Sequence, residues 1–226
     1  VLVHDTFSFG SRRVSPSDLP AKSMRNLPNI AGDSVEDVKQ YNAFAGEHEH
    51  LMAKSLFSAG TTWPGVFTFE DQNALDYLCS RKEVDPTRIG AAGLSGGGLR
   101  TTYLAGIDER IQSAVCVGMM TTWRDYLLNK AHTHTWMIYI PGLPPYLDYP
   151  EILAMRVPLP TLVLNNTEDP LFTLPEMQRA DKMMREIYGK AKADTKYACQ
   201  FYPGKHKFDA VMQQDAWNWF DRWLQR

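Results

Sequence analysis

Five residues constrain this chain more than any others: Gly93-Leu94-Ser95-Gly96-Gly97. Before them lies Arg88–Leu94, a short apolar run that reads as a strand; after them, Gly97–Ile107 reads as a helix. Passing from strand to helix so quickly bends the backbone sharply and strains the residue at the apex. Side chains two places before and two places after that residue would meet across the turn, so glycine suits 93 and 97. The Ser95 hydroxyl is then expected to project above the sheet. The Gly96 N–H, at a helix start, is expected to point where an oxyanion would develop. Gly-x-Ser-x-Gly means little alone; between a strand and a helix it marks a nucleophile. The plainer alternative is a glycine-rich helix start with a serine cap.

The surrounding pattern alternates. Val35, Val38, Tyr41, Phe44, Ala45, His48, Met52 and Leu56 recur at helical spacing, predicting a helix over 34–58 that Gly60 ends. A second helix after Trp63-Pro64-Gly65 is expected to turn Phe69, Ala74, Leu75 and Leu78 inward. Strands are predicted at 111–117, 161–165 and 197–202, with helices from Pro175 to Tyr188 and at the C-terminus. Residues 11–33 read as loop. Val1-Leu2-Val3 reads as a further strand; with no initiator Met and no signal pattern, the chain reads like the middle of something longer. Short continuous apolar strands between helices predict an α/β fold, a mostly parallel sheet covered by helices on both faces. The expectation is one domain over 1–226 with a lid-like insertion at about 121–158.

A serine hydroxyl needs a base, and the base needs a group to orient it. In a fold of this kind the chain order is Ser, acid, His. His206 stands in a loop just after the last strand, on the same rim as Ser95. His132 and His134 lie in an aromatic-rich stretch with no strand behind them. They could suggest a metal pair, but no third ligand of suitable spacing accompanies them, and no metal is expected. For the acid, Glu168 and Asp169 both follow a strand directly. Asp169 is favoured because Pro170, Leu171 and Phe172 can anchor its loop; an Asp before Pro also forms turns.

Composition limits the alternatives. The 226 residues carry 24 Lys and Arg against 26 Asp and Glu, a net charge of −2, so there is no basic footprint for nucleic acid. No apolar run is long enough to span a membrane. Cys79, Cys116 and Cys199 form no Cys-x-x-Cys pair, and free thiols in a reducing, cytoplasmic setting are expected.

The stretch Val84–Gly90 leading into Gly-Leu-Ser-Gly-Gly-Gly, and Leu104–Ile111 after it, resemble the α/β-hydrolases. Within them they resemble the dienelactone-hydrolase-like and acetyl-xylan-esterase-like branch. Val3-His4-Asp5 with Phe9–Arg13 resembles the strand and loop after that family's oxyanion region. The resemblance implies ester hydrolysis through an acyl-enzyme, without a cofactor. It also implies that earlier strands, and a His-Gly loop supplying a second oxyanion donor, are missing here. An unfilled sheet edge favours self-association, so a dimer is expected.

The aromatic insertion is expected to line the substrate site through Trp123, Tyr126 and Trp136, with Leu94 beside the nucleophile; the alternative is that these aromatics simply cover the sheet. The expected function is a serine carboxylesterase acting on small esters through Ser95, His206 and Asp169, with Gly96 as oxyanion donor. A peptidase or lactone hydrolase of the same fold is the near rival, and a non-catalytic binding protein the distant one.

Overall fold

The computed structural model describes residues 1–14 and 32–225. Most of the loop expected over 11–33 lies outside the described residues. The described chain divides into two compact units, Val1–Phe67 with Thr135–Tyr139, and Thr68–His134 with Ile140–Arg226.

The first unit is built on α1 (Val35–Ser58), whose start is fixed by a capping box between Ser34 and Asp37. Tyr41 points inward, donates its hydroxyl to Ser8 O at 2.7 Å and accepts from Val14 N at 3.0 Å. His48 satisfies itself locally, through Phe44 O at 2.9 Å and a stacked Phe44 ring. The predicted apolar stripe is only partly covered, since Val35 and Val38 are exposed. Glu49 accepts from Thr135 Oγ1 at 2.7 Å and Trp136 N at 2.9 Å. Val1–Val3 are exposed and form no strand, correcting that expectation.

The second unit holds a four-stranded parallel sheet in the order β1-β2-β3-β4: Ile89–Leu94, Ile111–Val117, Thr161–Asn166 and Tyr197–Tyr202. β2 and β3 are almost entirely buried, as continuous apolar strands in a covered sheet should be. α3 (Gly96–Ile107) packs on one face, where Thr102 Oγ1 lies 3.6 Å from Cys116 Sγ. α6 (Ala210–Leu224) packs on the other, placing Met212, Ala216 and Trp219 against Val115, Val117, Leu162 and Leu164. α4 (Tyr149–Ala154) lies against α3 and α5 (Leu174–Lys190). The α/β class, with helices on both faces of a parallel sheet, is as the sequence predicts.

One helix detail differs. α2 (Trp63–Cys79) buries Trp63, Phe67, Asp71 and Leu75, a four-residue spacing that turns Phe69 to the opposite side, where it is exposed.

Register fixes what the sheet presents. Leu94 lies opposite Val117, Val117 opposite Leu164, and Asn166 opposite Tyr202. The residues that follow these strands therefore emerge along one carboxyl rim, where sheets of this kind place their chemistry.

Candidate active site

Ser95 occupies the apex of the turn between β1 and α3 with φ 55° and ψ −116°, a backbone region that side chains rarely enter. Three constraints hold it there. Its N–H donates to Val117 O at 2.9 Å, and its carbonyl accepts from Leu99 N at 2.9 Å. A Cβ at Gly93 would lie 2.2 Å from the Gly97 carbonyl carbon, so the crossing of the two backbones admits only glycine. The Gly96 N–H, at the first position of α3, has no acceptor among the described residues, and open space lies over Gly96 and Gly97. That is an unoccupied donor at a helix N-terminus, suited to negative charge.

The candidate acid and base come from the next two loops along the rim. Asp169 follows β3, and its side chain is wholly buried. Its Oδ2 lies 2.6 Å from His206 Nδ1, and its Oδ1 accepts from Leu171 N at 3.0 Å. Bonding to a carboxylate makes Nδ1 the protonated nitrogen of a neutral His206 and leaves Nε2 as the basic one. Glu168, the other candidate acid, faces elsewhere: its carboxylate accepts from Gly204 N at 3.3 Å, and its own N–H donates to Gly204 O at 3.1 Å. It clips the acid loop to the His206 loop, a role the sequence did not reveal. Thr167 N–H adds a bond to Tyr202 O at 2.9 Å, and Lys207 N–H one to the Asn166 side chain at 3.3 Å.

Gly118, just after β2, sits at the centre of this arrangement with φ +54°. A Cβ there would lie 3.0 Å from His206 Cε1 and 3.2 Å from Leu94 Cδ1. One point at the end of β2 is thus approached from one side by the residue preceding Ser95 and from the other by His206. No hydrogen bond links Ser95 Oγ to His206 here; in ligand-free sites such contacts are often long and tighten on binding.

The expected substrate-lining aromatics behave differently from prediction. Trp123 and Tyr126 are 4% and 0% exposed, and both pack edge-on against Tyr149. The Tyr126 hydroxyl donates to Met119 O at 2.7 Å. These two cover the sheet rather than line an open site, because stacking on one another buries more aromatic surface than facing water would. Trp136 belongs to the first unit, where it packs near Tyr139 and is 45% exposed. Leu94 is half-buried beside the nucleophile. His134 is half-buried, with its Nε2–H donated to Leu171 O at 2.9 Å and its ring against Phe172. Desolvation holds its pKa below the usual histidine value. His132 is exposed. Among the described residues no three His, Cys, Asp or Glu side chains gather as a metal would require.

Sequence reading also missed Asp125 and Glu176. Both are buried carboxylates, paired with Thr121 and Thr122 at 2.9 and 2.6 Å. The signal was a Thr-Thr pair followed closely by an acid, a pattern common enough in turns to pass unnoticed.

Residues 52–226 match the prolyl oligopeptidase family. The chain belongs to that family. Its turn, its parallel sheet and its order of Ser, Asp and His fit an α/β-hydrolase, the superfamily named from the motifs. The finer likeness to the dienelactone-hydrolase-like branch stays a reading of those motifs. Among curated proteins, this family member is 30% identical over 183 residues to "Putative hydrolase YtaP" of Bacillus subtilis (strain 168), covering 79% of this chain and 60% of that protein. Among solved structures, it resembles methylesterase BT1017 at 25% identity and TM-score 0.56, over 70% of this chain and 35% of that one. A carbohydrate esterase family 15 glucuronoyl esterase from Caldicellulosiruptor kristjansonii shares the fold at 14% identity and TM-score 0.59, over 70% and 49% of the two chains. The chain therefore spans less than two thirds of each of these relatives. It is a hydrolase-family chain, and no helix among its described residues is long and apolar enough to cross a membrane.

Proposed function

We propose that this chain carries the active site of a serine carboxylesterase for small carboxylic esters. Ser95 Oγ attacks the ester carbonyl while His206 Nε2 takes its proton. Asp169 keeps His206 in the required tautomer and stabilises the imidazolium that forms. The Gly96 N–H donates to the tetrahedral oxyanion. His206 then protonates the departing alcohol, giving an acyl-Ser95 intermediate. Water, deprotonated by the same imidazole, releases the acid. In this reading Leu94, next to Ser95 in the chain, flanks the acyl group. The reaction as written needs no cofactor.

The observation that carries this reading is the 2.6 Å contact between buried Asp169 and His206, on the rim that also holds a strained Ser95. The likeness to a methylesterase makes methyl esters a natural part of the substrate panel. Peptide-bond cleavage is the second reading, favoured by the family's own name. Rates on p-nitrophenyl esters, methyl esters, lactones and peptide anilides separate the two. Faster turnover of anilides than of activated esters would contradict the esterase.

A further inference from the structure

The backbone of the acid loop is held by side chains from one distant segment. Lys130 Nζ donates to Pro170 O at 2.8 Å, and His134 Nε2 to Leu171 O at 2.9 Å. Asp125 accepts from Thr173 N at 2.9 Å through Oδ2 and from Thr173 Oγ1 at 2.8 Å through Oδ1. Phe172, between these anchors, packs near Tyr126, His134 and His206, with ring centroids 6.0, 5.2 and 6.4 Å away. Successive residues from 170 to 173 are thus gripped from the segment 125–134, which begins as a π-helical turn, Asp125–Asn129. Such turns are uncommon and recur near functional sites.

Asp125 is the strongest of these anchors. It is wholly buried, and the same carboxylate also takes Thr121 Oγ1 at 2.9 Å and Asn129 Nδ2 at 3.0 Å. A buried carboxylate is costly unless its lone pairs are filled. Here the filling donors tie the end of β2 to the loop that carries the acid. Leu171 N–H in turn donates to Asp169 Oδ1 at 3.0 Å, so an anchored 171–173 backbone fixes the direction of the Asp169 carboxylate.

We propose that Asp125 is a positioning residue for the hydrolytic site: through Thr173 it holds the 169–173 loop so that Asp169 stays against His206. This rests on the esterase reading above. Asp125 touches neither substrate nor Ser95; its effect passes through Asp169 alone.

The test is a double-mutant cycle of Asp125→Ala and Asp169→Asn on p-nitrophenyl acetate, with crystal structures of the wild type and Asp125→Ala. Displacing a catalytic group by about 1 Å costs on the order of 100-fold. Asp125→Ala is therefore expected to lower kcat by about that factor with KM nearly unchanged. Added to Asp169→Asn, it should cost less than about twofold more, since the contact it supports is already lost. In the crystal of Asp125→Ala the Asp169–His206 separation should open beyond about 3.5 Å. Costs that multiply, with that separation kept, would overturn the proposal. Should Asp125→Ala fail to fold, Thr173→Val removes one anchor with little change in volume and must show the same non-additivity. If wild-type turnover survives Ser95→Ala, the esterase reading fails instead. The crystal structures then decide the role of Asp125: an opened Asp169–His206 contact supports it, and an unchanged one overturns it.

Discussion

Two loops on the same rim are built in opposite ways. The turn after β1 is local: Gly93 and Gly97 cross, Val117 O takes the Ser95 amide, and everything needed lies within one strand, one turn and the neighbouring strand end. The loop after β3 is remote. Asp169 is aimed by its own Leu171, by Lys130, His134 and Asp125 from a segment some forty residues earlier, and by the Glu168 clip to Gly204. A local device tolerates almost no change in shape and is indifferent to distant substitutions. A remote device spreads its support over several bonds, so each loss is graded. The contrast matters because the proposed triad needs both loops at once, together with the His206 loop after β4, and only the remote one can be damaged gradually.

The sharpest break falls on the local side. Gly93→Ala places a Cβ 2.2 Å from backbone that cannot move aside. We expect loss of hydrolysis to background and a stability loss of about 1–3 kcal/mol or more by chemical denaturation, as overpacking commonly costs. A stable, active Gly93→Ala protein would mean that the turn is not sterically set.

On the remote side, Asp169→Asn should leave the fold intact and lower kcat by about ten-thousandfold, the effect of losing the correct histidine tautomer. Glu168→Gln serves as its control. It weakens only the clip to Gly204, so steady-state kinetics should show a loss of about tenfold or less, well short of Asp169→Asn. Equal losses would reassign the acid.

Gly118→Ala bears at once on Leu94, before the Ser95 turn, and on His206, in the loop after β4. Its φ of +54° and the 3.0 Å approach of His206 Cε1 mean that a methyl group must strain the backbone and push the imidazole. A kcat loss of about 10- to 100-fold, with binding retained, is expected.

The smallest effect concerns pH. Burial holds the His134 pKa below its ordinary value of about 6.5. The unfolded chain therefore binds a proton at higher pH than the folded one. The stability His134 supports is full above about pH 6.5, falls as pH drops below that value, and levels off once the folded histidine also protonates. Denaturation of wild type and His134→Gln across that range should show a shallower acid slope in the variant. Identical slopes would remove His134 from the account.

The same contrast explains what could be read from the sequence. Both α1 and the four strands are bounded within a residue of where spacing and apolar runs put them, because those signals are local. The turn at Ser95 was legible for the same reason, as were the positions of Asp169 and His206 after β3 and β4. What escaped is whatever a distant segment decides. Glu49 carries no local signal of its bonds, because its partners, Thr135 and Trp136, come from far along the chain. Trp123 and Tyr126 looked like a substrate wall because nothing in their spacing tells that Tyr149 will pack edge-on against them. Val1–Val3 had the composition of a strand but are exposed and unpaired as a ladder among the described residues, because composition alone says nothing of a pairing partner. Asp125 carries no motif; only the folded loop reveals what it holds.

The most direct test of the account is release of p-nitrophenol from acetate and butyrate esters by this 226-residue chain and by its Ser95→Ala variant, with folding of both checked by circular dichroism. The account predicts turnover by the wild type that disappears in Ser95→Ala. Undiminished turnover in a folded Ser95→Ala variant, or none from a folded wild type, would contradict it.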